Sequence, residues 1–107
     1  MKFELNKTIA EYMGANKVGS YYYLPEYKEL QMVEYSYEGE EVSLFTVEEL
    51  KYHKEWRWLM PVVKKILYDS YTLEGVALMK KVQEALITCE LNKTYEAVIN
   101  FLNWYYA

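Results

Sequence analysis

Residues 46–68 read TVEELKYHKEWRWLMPVVKKILY, and the way this stretch divides into helix decides the fold. Thr46-Val-Glu-Glu49 has the form of a capping box, with Thr46 as N-cap and Glu49 as its partner three residues on, so a helix is expected to begin there. Pro61 then interrupts the run LKYHKEWRWLMPVVKKILY. It has no backbone N–H to donate, and it disfavours helical geometry at Met60. The stretch is therefore either a kinked helix, or a short helix near 47–53 followed by a second one reaching Tyr68. Leu59, Val62, Val63, Ile66 and Leu67 give that second part a strong apolar stripe.

Outward from this stretch the pattern stays mostly helical. On the C-terminal side, DSYTLEG is a connection, and residues 73–88 read as a helix with Val76, Met79, Val82, Leu86 and Ile87 inward. Asn92-Lys-Thr94 offers caps for a final helix over 94–106. There Tyr95, Val98, Ile99, Leu102 and Tyr105 share a face, which Phe101 and Trp104 widen, so this helix is expected to be buried on two sides. On the N-terminal side, QMVEYSY alternates, EGEE supplies a turn around Gly39 and VSLF comes next, which predicts a hairpin of 31–37 with 41–45. Two strands alone are marginal, so either SYYYL, ended by Pro25, adds a third strand or helices cover one face. Residues 15–20, ANKVGS, read as a connection, and 6–13 as a short helix capped by Asn6 and ended by Gly14. The expected fold class is α+β, a mostly helical single domain over 1–107 with a small antiparallel hairpin, its successive helices packed as antiparallel neighbours.

Composition bounds the function classes. Of 107 residues, 52% are apolar and 26% charged, which supports a packed core and argues against disorder. Thirteen are tyrosines, more than so small a core can bury with satisfied hydroxyls, so some are expected at the surface. A net charge of −4 disfavours general nucleic-acid binding, which needs a positive footprint. The apolar runs are too short to span a bilayer, and MKFELNKTIAEYMG lacks a secretory h-region, so a cytoplasmic protein is expected. The one cysteine, Cys89, lies between apolar neighbours and reads as a small buried hydrophobe.

No catalytic, cofactor or metal-binding motif is present. His53 is the one histidine, whereas metal sites and triads need several convergent ligands or a paired nucleophile. Eight glutamates between residues 26 and 49 face one lysine, a diffuse local charge of −7 that nominates no acid/base pair. The glycines are isolated and form no phosphate-binding loop. Residues 51–65, KYHKEWRWLMPVVKK, stand apart: five cations against Glu55 give +4 inside an acidic protein, with aromatic residues interleaved. Aromatic faces beside Arg and Lys can stack a base and pair a phosphate. On a helix, residues 53, 56, 57 and 60 share a face while Trp58 points elsewhere. Either both tryptophans pack and the lysines are solvated, or one packs and the other is a contact. The candidate ligand residues are Tyr52, His53, Trp56 and Arg57, with Lys64 as a further phosphate contact.

IAEYMG at 9–14, YYYLPEY at 21–27, the stretch LKYHKEWRWLMPVVKKI and the ending TYEAVINFLNWY carry a resemblance. The chain resembles small uncharacterised proteins of Bacteroidetes and of the phages that infect them, which show IAEFMG, SWDWLMPVVEKI and VVEFIKWY at these places. Trp56, Trp58, Leu59, Met60, Pro61, Val62 and Val63 match the most specific string, and Lys54, Glu55 and Arg57 depart from it. The resemblance implies a phage-like or mobile-element setting, in the bacterial host cytoplasm if phage-encoded, rather than a reaction. With the exclusions above, the expectation is a non-catalytic binding module that sequesters a nucleotide signal or blocks a host defence protein. The alternative is a protein–protein interaction or structural role, including a homo-oligomer.

Overall fold

The computed structural model describes residues 2–24, 34–37, 40–70 and 72–107. The chain divides into two compact units, Met1–Lys51 and Tyr52–Ala107. The expected class is what the chain adopts: the described residues form four α-helices and a small antiparallel sheet.

The first unit opens with α1, Lys2–Tyr12. Gly14 ends it as expected, at φ +80, in a Schellman arrangement: the Ala15 N–H donates to the Ala10 carbonyl and the Gly14 N–H to the Glu11 carbonyl, both at 3.0 Å. Asn6 is not the N-cap. It lies mid-helix, fully buried, and its Nδ2 donates to the Leu50 carbonyl at 3.0 Å. A long-range partner for the side-chain amide outweighs the local capping preference, and the helix starts four residues earlier than its capping signal suggests.

Residues 15–20 are not a plain connection. Asn16–Val18 forms β1, and Tyr21–Tyr23 forms β2 antiparallel to it, with Val18 opposite Tyr21 across a Gly19-Ser20 turn. Gly19 has φ +63 and Ser20 does not share the positive φ, the pattern of a type II′ hairpin turn, in which glycine takes the first position. β2 then pairs with β4, Glu40–Phe45, placing Tyr22 opposite Phe45 and Tyr23 opposite Leu44. β3, Glu34–Tyr37, completes the expected hairpin with β4 in the register Tyr37 opposite Glu40 and Glu34 opposite Ser43. The sheet order is β1-β2-β4-β3. The break at Pro25, the strand start at 31–33 and the turn at Gly39 lie outside the described residues. Tyr22 and Phe45, which share a face, are buried, as are Ile9, Tyr12 and Leu50. At the end of the unit, Glu49 accepts the Thr46 backbone N–H at 2.8 Å, the return arm of the predicted box. The helix started by that box is only a 3-10 turn, Val47–Glu49.

The second unit is helical. Residues 50–55 are non-helical, and α2 runs Trp56–Asp69 from Glu55, whose carbonyl accepts the Trp58 and Leu59 N–H groups. Of the two arrangements open for this stretch, the short helical turn followed by a separate helix is the one adopted. Pro61 marks no break: it lies inside α2. The carbonyl it leaves without a helical donor belongs to Arg57, an exposed residue. Trp58, Leu59, Val62, Val63 and Ile66 are buried, but Leu67, expected in that stripe, is exposed.

α3 is Leu73–Ile87, and the Thr72 hydroxyl caps it by accepting the Gly75 N–H at 3.0 Å. Among its apolar residues Val82 is buried, Val76, Met79 and Leu86 are half-buried, and Ile87, expected inward, is exposed. α4 is Leu91–Tyr105. Thr94 is not its cap but a buried residue of its first turns, donating its hydroxyl to the Glu90 carbonyl at 3.0 Å. The break between α3 and α4 falls instead at Cys89, a non-glycine residue at φ +60. That corner position exposes Cys89, against the expectation of burial. Tyr95, Val98, Ile99, Phe101 and Leu102 are buried, whereas Tyr105 is exposed. α3 and α4 are antiparallel: the Trp104 indole Nε1 donates to Glu74 at 2.9 Å, and its ring closes over Gly75. A Cβ there would stand 3.0 Å from Trp104 Cη2.

Asn6 and Tyr95 each give a measurable consequence. Asn6→Leu removes the donor to a buried carbonyl, and urea titration should show a loss of about 1–3 kcal/mol; a loss below about 0.5 kcal/mol, within the range of ordinary surface changes, would show that the tether contributes little. Burial raises the Tyr95 hydroxyl from 10.0 to about 12. Below pH 10 both states hold that proton; between 10 and about 12 only the unfolded state releases it, so stability should fall as pH rises through this window. Tyr95→Phe should flatten that fall in urea titrations from pH 8 to 12, and an unchanged slope would count against the assignment.

Candidate functional site

The five candidate residues do not converge. Tyr52 is fully buried, edge-on to Trp58 with ring centroids 5.2 Å apart. It offers no open ring face to a base. His53 lies in the turn before α2, half-buried, with its ring 6.2 Å from that of Tyr95. The helix expected to carry His53 ends at Glu49, so His53 does not share the α2 face with Trp56 and Arg57. Trp56, Arg57 and Lys64 do lie together on α2. Lys64 is two turns beyond Arg57, and both are exposed. The Arg57 guanidinium reaches Glu55 at 3.5 Å, and its side chain remains 72% accessible.

The two tryptophans part company. Trp58 is 2% exposed, while Trp56 is half-buried on the outer side of the helix. Two residues apart on a helix means about 200° of rotation, so burying one turns the other outward. With Trp58 inward, α2 presents Trp56, Met60 and Leu67 along one outer line, spaced i, i+4 and i+11, with Arg57 and Lys64 beside it. Met60 and Leu67 are 41% and 45% exposed.

Trp56 and Met60 meet the end of α3 across a shallow depression of about 340 Å³, whose other walls are Leu86 and Cys89. Among the described residues the lining is apolar or weakly polar and offers no side chain to pair with a phosphate. Its chemistry suits one or two aliphatic or aromatic groups. Among the described residues no three His, Cys, Asp or Glu side chains gather as metal ligands, and no helix is long and apolar enough to cross a membrane.

Sequence reading places Met60 on this face without selecting it, and it misses Leu86 and Cys89 altogether. The i, i+4 spacing of Trp56 and Met60 is a legible signal. The contribution of α3 is not, because it depends on where that helix ends and how it packs.

The orientation of the tryptophans has a spectroscopic consequence. A variant keeping Trp56 alone, with Trp58→Phe and Trp104→Phe, should emit at longer wavelength and be quenched by iodide. A variant keeping Trp58 alone should emit further to the blue and resist quenching. Equal quenching of the two would mean that α2 is rotated from the arrangement described.

Comparison of the chain with protein-family models, with curated proteins and with solved structures finds no match.

Proposed function

We propose that this protein is a non-catalytic binding module that recognises another protein and acts by occupying it. The observation that supports this reading most directly is the open apolar depression at Trp56 and Met60, flanked on α2 by Arg57 and Lys64. Apolar side chains left in water on a small unit have an energetic cost that binding recovers, at about 25 cal/mol per Å² covered. Trp and Arg are also the residue types that dominate protein interfaces. A nucleotide would need its base, sugar and phosphates met in one pocket. Here the ring of Tyr52 is buried, and His53 lies off the α2 face. In the phage-like setting that the resemblance implies, such a module would block a host defence protein in the bacterial cytoplasm.

The test has two arms. Calorimetry with cyclic dinucleotides and ADP-ribose derivatives should give no heat at high micromolar concentration. Affinity capture from a Bacteroidetes host lysate should retain a protein on the wild-type chain that Met60→Glu releases. Nucleotide binding that disappears in Trp56→Ala and Arg57→Ala would replace this reading with nucleotide sequestration. A captured protein that Met60→Glu retains would move the contact off α2.

A further inference from the structure

Resting on that reading, we infer that the groove between α2 and the end of α3 receives an acidic amphipathic helix of the partner, its apolar side chains entering the Trp56–Met60–Leu86–Cys89 depression and its carboxylates meeting Arg57 and Lys64.

Three features carry the inference. The first is shape. The depression is shallow, apolar and open, so it can be covered by a few apolar side chains of a partner. Leu67, 45% exposed, extends the apolar line along α2 beyond the depression. That line runs about 16 Å along α2, long enough to take the roughly 10 Å between anchors at i and i+7 of a docked helix.

The second is charge. The one carboxylate within α2 is Asp69, which pairs with Lys65 at 3.3 Å, away from the groove line. The outer face of α2 therefore presents cations without acids among its own residues. Glu55 precedes the helix and reaches Arg57 at 3.5 Å, a long contact that leaves guanidinium donors directed outward. A partner with carboxylates along the flank of its apolar stripe is complementary to this face, and a basic partner is repelled by it.

The third is the comparison with other occupants. A second copy of this chain carries a net charge of −4, as this one does, so approach of two copies is opposed over distance. An anionic bilayer meets the same opposition, and a bilayer offers no side chain to fill a concavity. A short acidic helix meets the same net charge, but it is small enough to set its carboxylates beside Arg57 and Lys64 and its apolar side chains against Trp56 and Met60.

The experiment is a yeast-displayed library of helical peptides with randomised surface positions, sorted against the intact chain. Enriched sequences should combine apolar anchors at i, i+4 and i+7 with net negative charge. Their binding should fall at least about tenfold with Met60→Glu, the loss expected on truncating or repelling an interface anchor. The double variant Arg57→Glu/Lys64→Glu should select peptides without the acidic bias. Both variants alter exposed side chains, and unchanged thermal melting would verify folding. Enriched peptides with no net negative charge, peptides indifferent to Met60→Glu, or no enrichment at all would overturn the inference. So would Met60-dependent flotation on vesicles of phosphatidylglycerol, or self-association lost in Met60→Glu by sedimentation. Failure here with a Met60-dependent partner still captured from lysate would refute the acidic helix and leave the protein-binding reading standing. Nucleotide binding in calorimetry would refute that reading itself.

Discussion

The rotation of α2 about its own axis governs the second unit. Turned as it is, the helix buries Trp58, Leu59, Val62, Val63 and Ile66. Turned by half a revolution it would bury Met60, Leu67 and Tyr68, and also Arg57 and Lys64. Each large apolar side chain buried contributes about 1.5–3 kcal/mol, so five against three favours the observed rotation by several kcal/mol. Burial of the Arg57 and Lys64 cations would add to the difference. Trp58 sets the outcome, for it is the largest of the buried side chains and meets Tyr52 edge to face. The outward line of Trp56, Met60 and Leu67 is the geometric remainder of that choice. The surface we assign to binding thus exists because the core took the other tryptophan.

The first unit relies on a polar contact. Asn6 is fully buried, and an amide in that position needs a partner. The Leu50 carbonyl supplies it, from 44 residues away in sequence. The bond ties α1 to the segment that closes the unit, just after the Thr46–Glu49 box has turned the chain out of β4. Local capping and a long-range tether thus act in series.

Legibility differs by element, for physical reasons. The β3–β4 hairpin is readable because alternation is strict and local, and the apolar stripe of α2 because Leu59, Val62, Val63 and Ile66 repeat at helical spacing. β1 is not, since Asn16-Lys-Val18 has little strand character and is held by pairing with β2. The Gly19-Ser20 turn is the available signal. Asn6 and Thr94, the two caps that the structure places elsewhere, are polar residues of types that cap helices in general. Here each is buried within a helix and bonds to a backbone carbonyl. The apolar neighbours of Cys89 point to the core, whereas its positive φ puts it on a corner between helices.

For the candidate site the division is sharper. Residue spacing alone determined that Trp56 and Trp58 face apart, that Trp56 and Met60 share a line, and that cations crowd this segment of an acidic chain, because helical periodicity and charge are properties of residue order. Which tryptophan turns inward was decided by the tertiary structure, since it depends on the summed burial of the whole helix. So was the removal of Tyr52 and His53 from the face: the first helical turn ends at Glu49, and Tyr52 closes against Trp58. The depression itself required α3 to end beside the start of α2, bringing Leu86 and Cys89 to Trp56 and Met60 across about 30 residues of chain. No local pattern encodes that proximity, because it is set by how two helices pack.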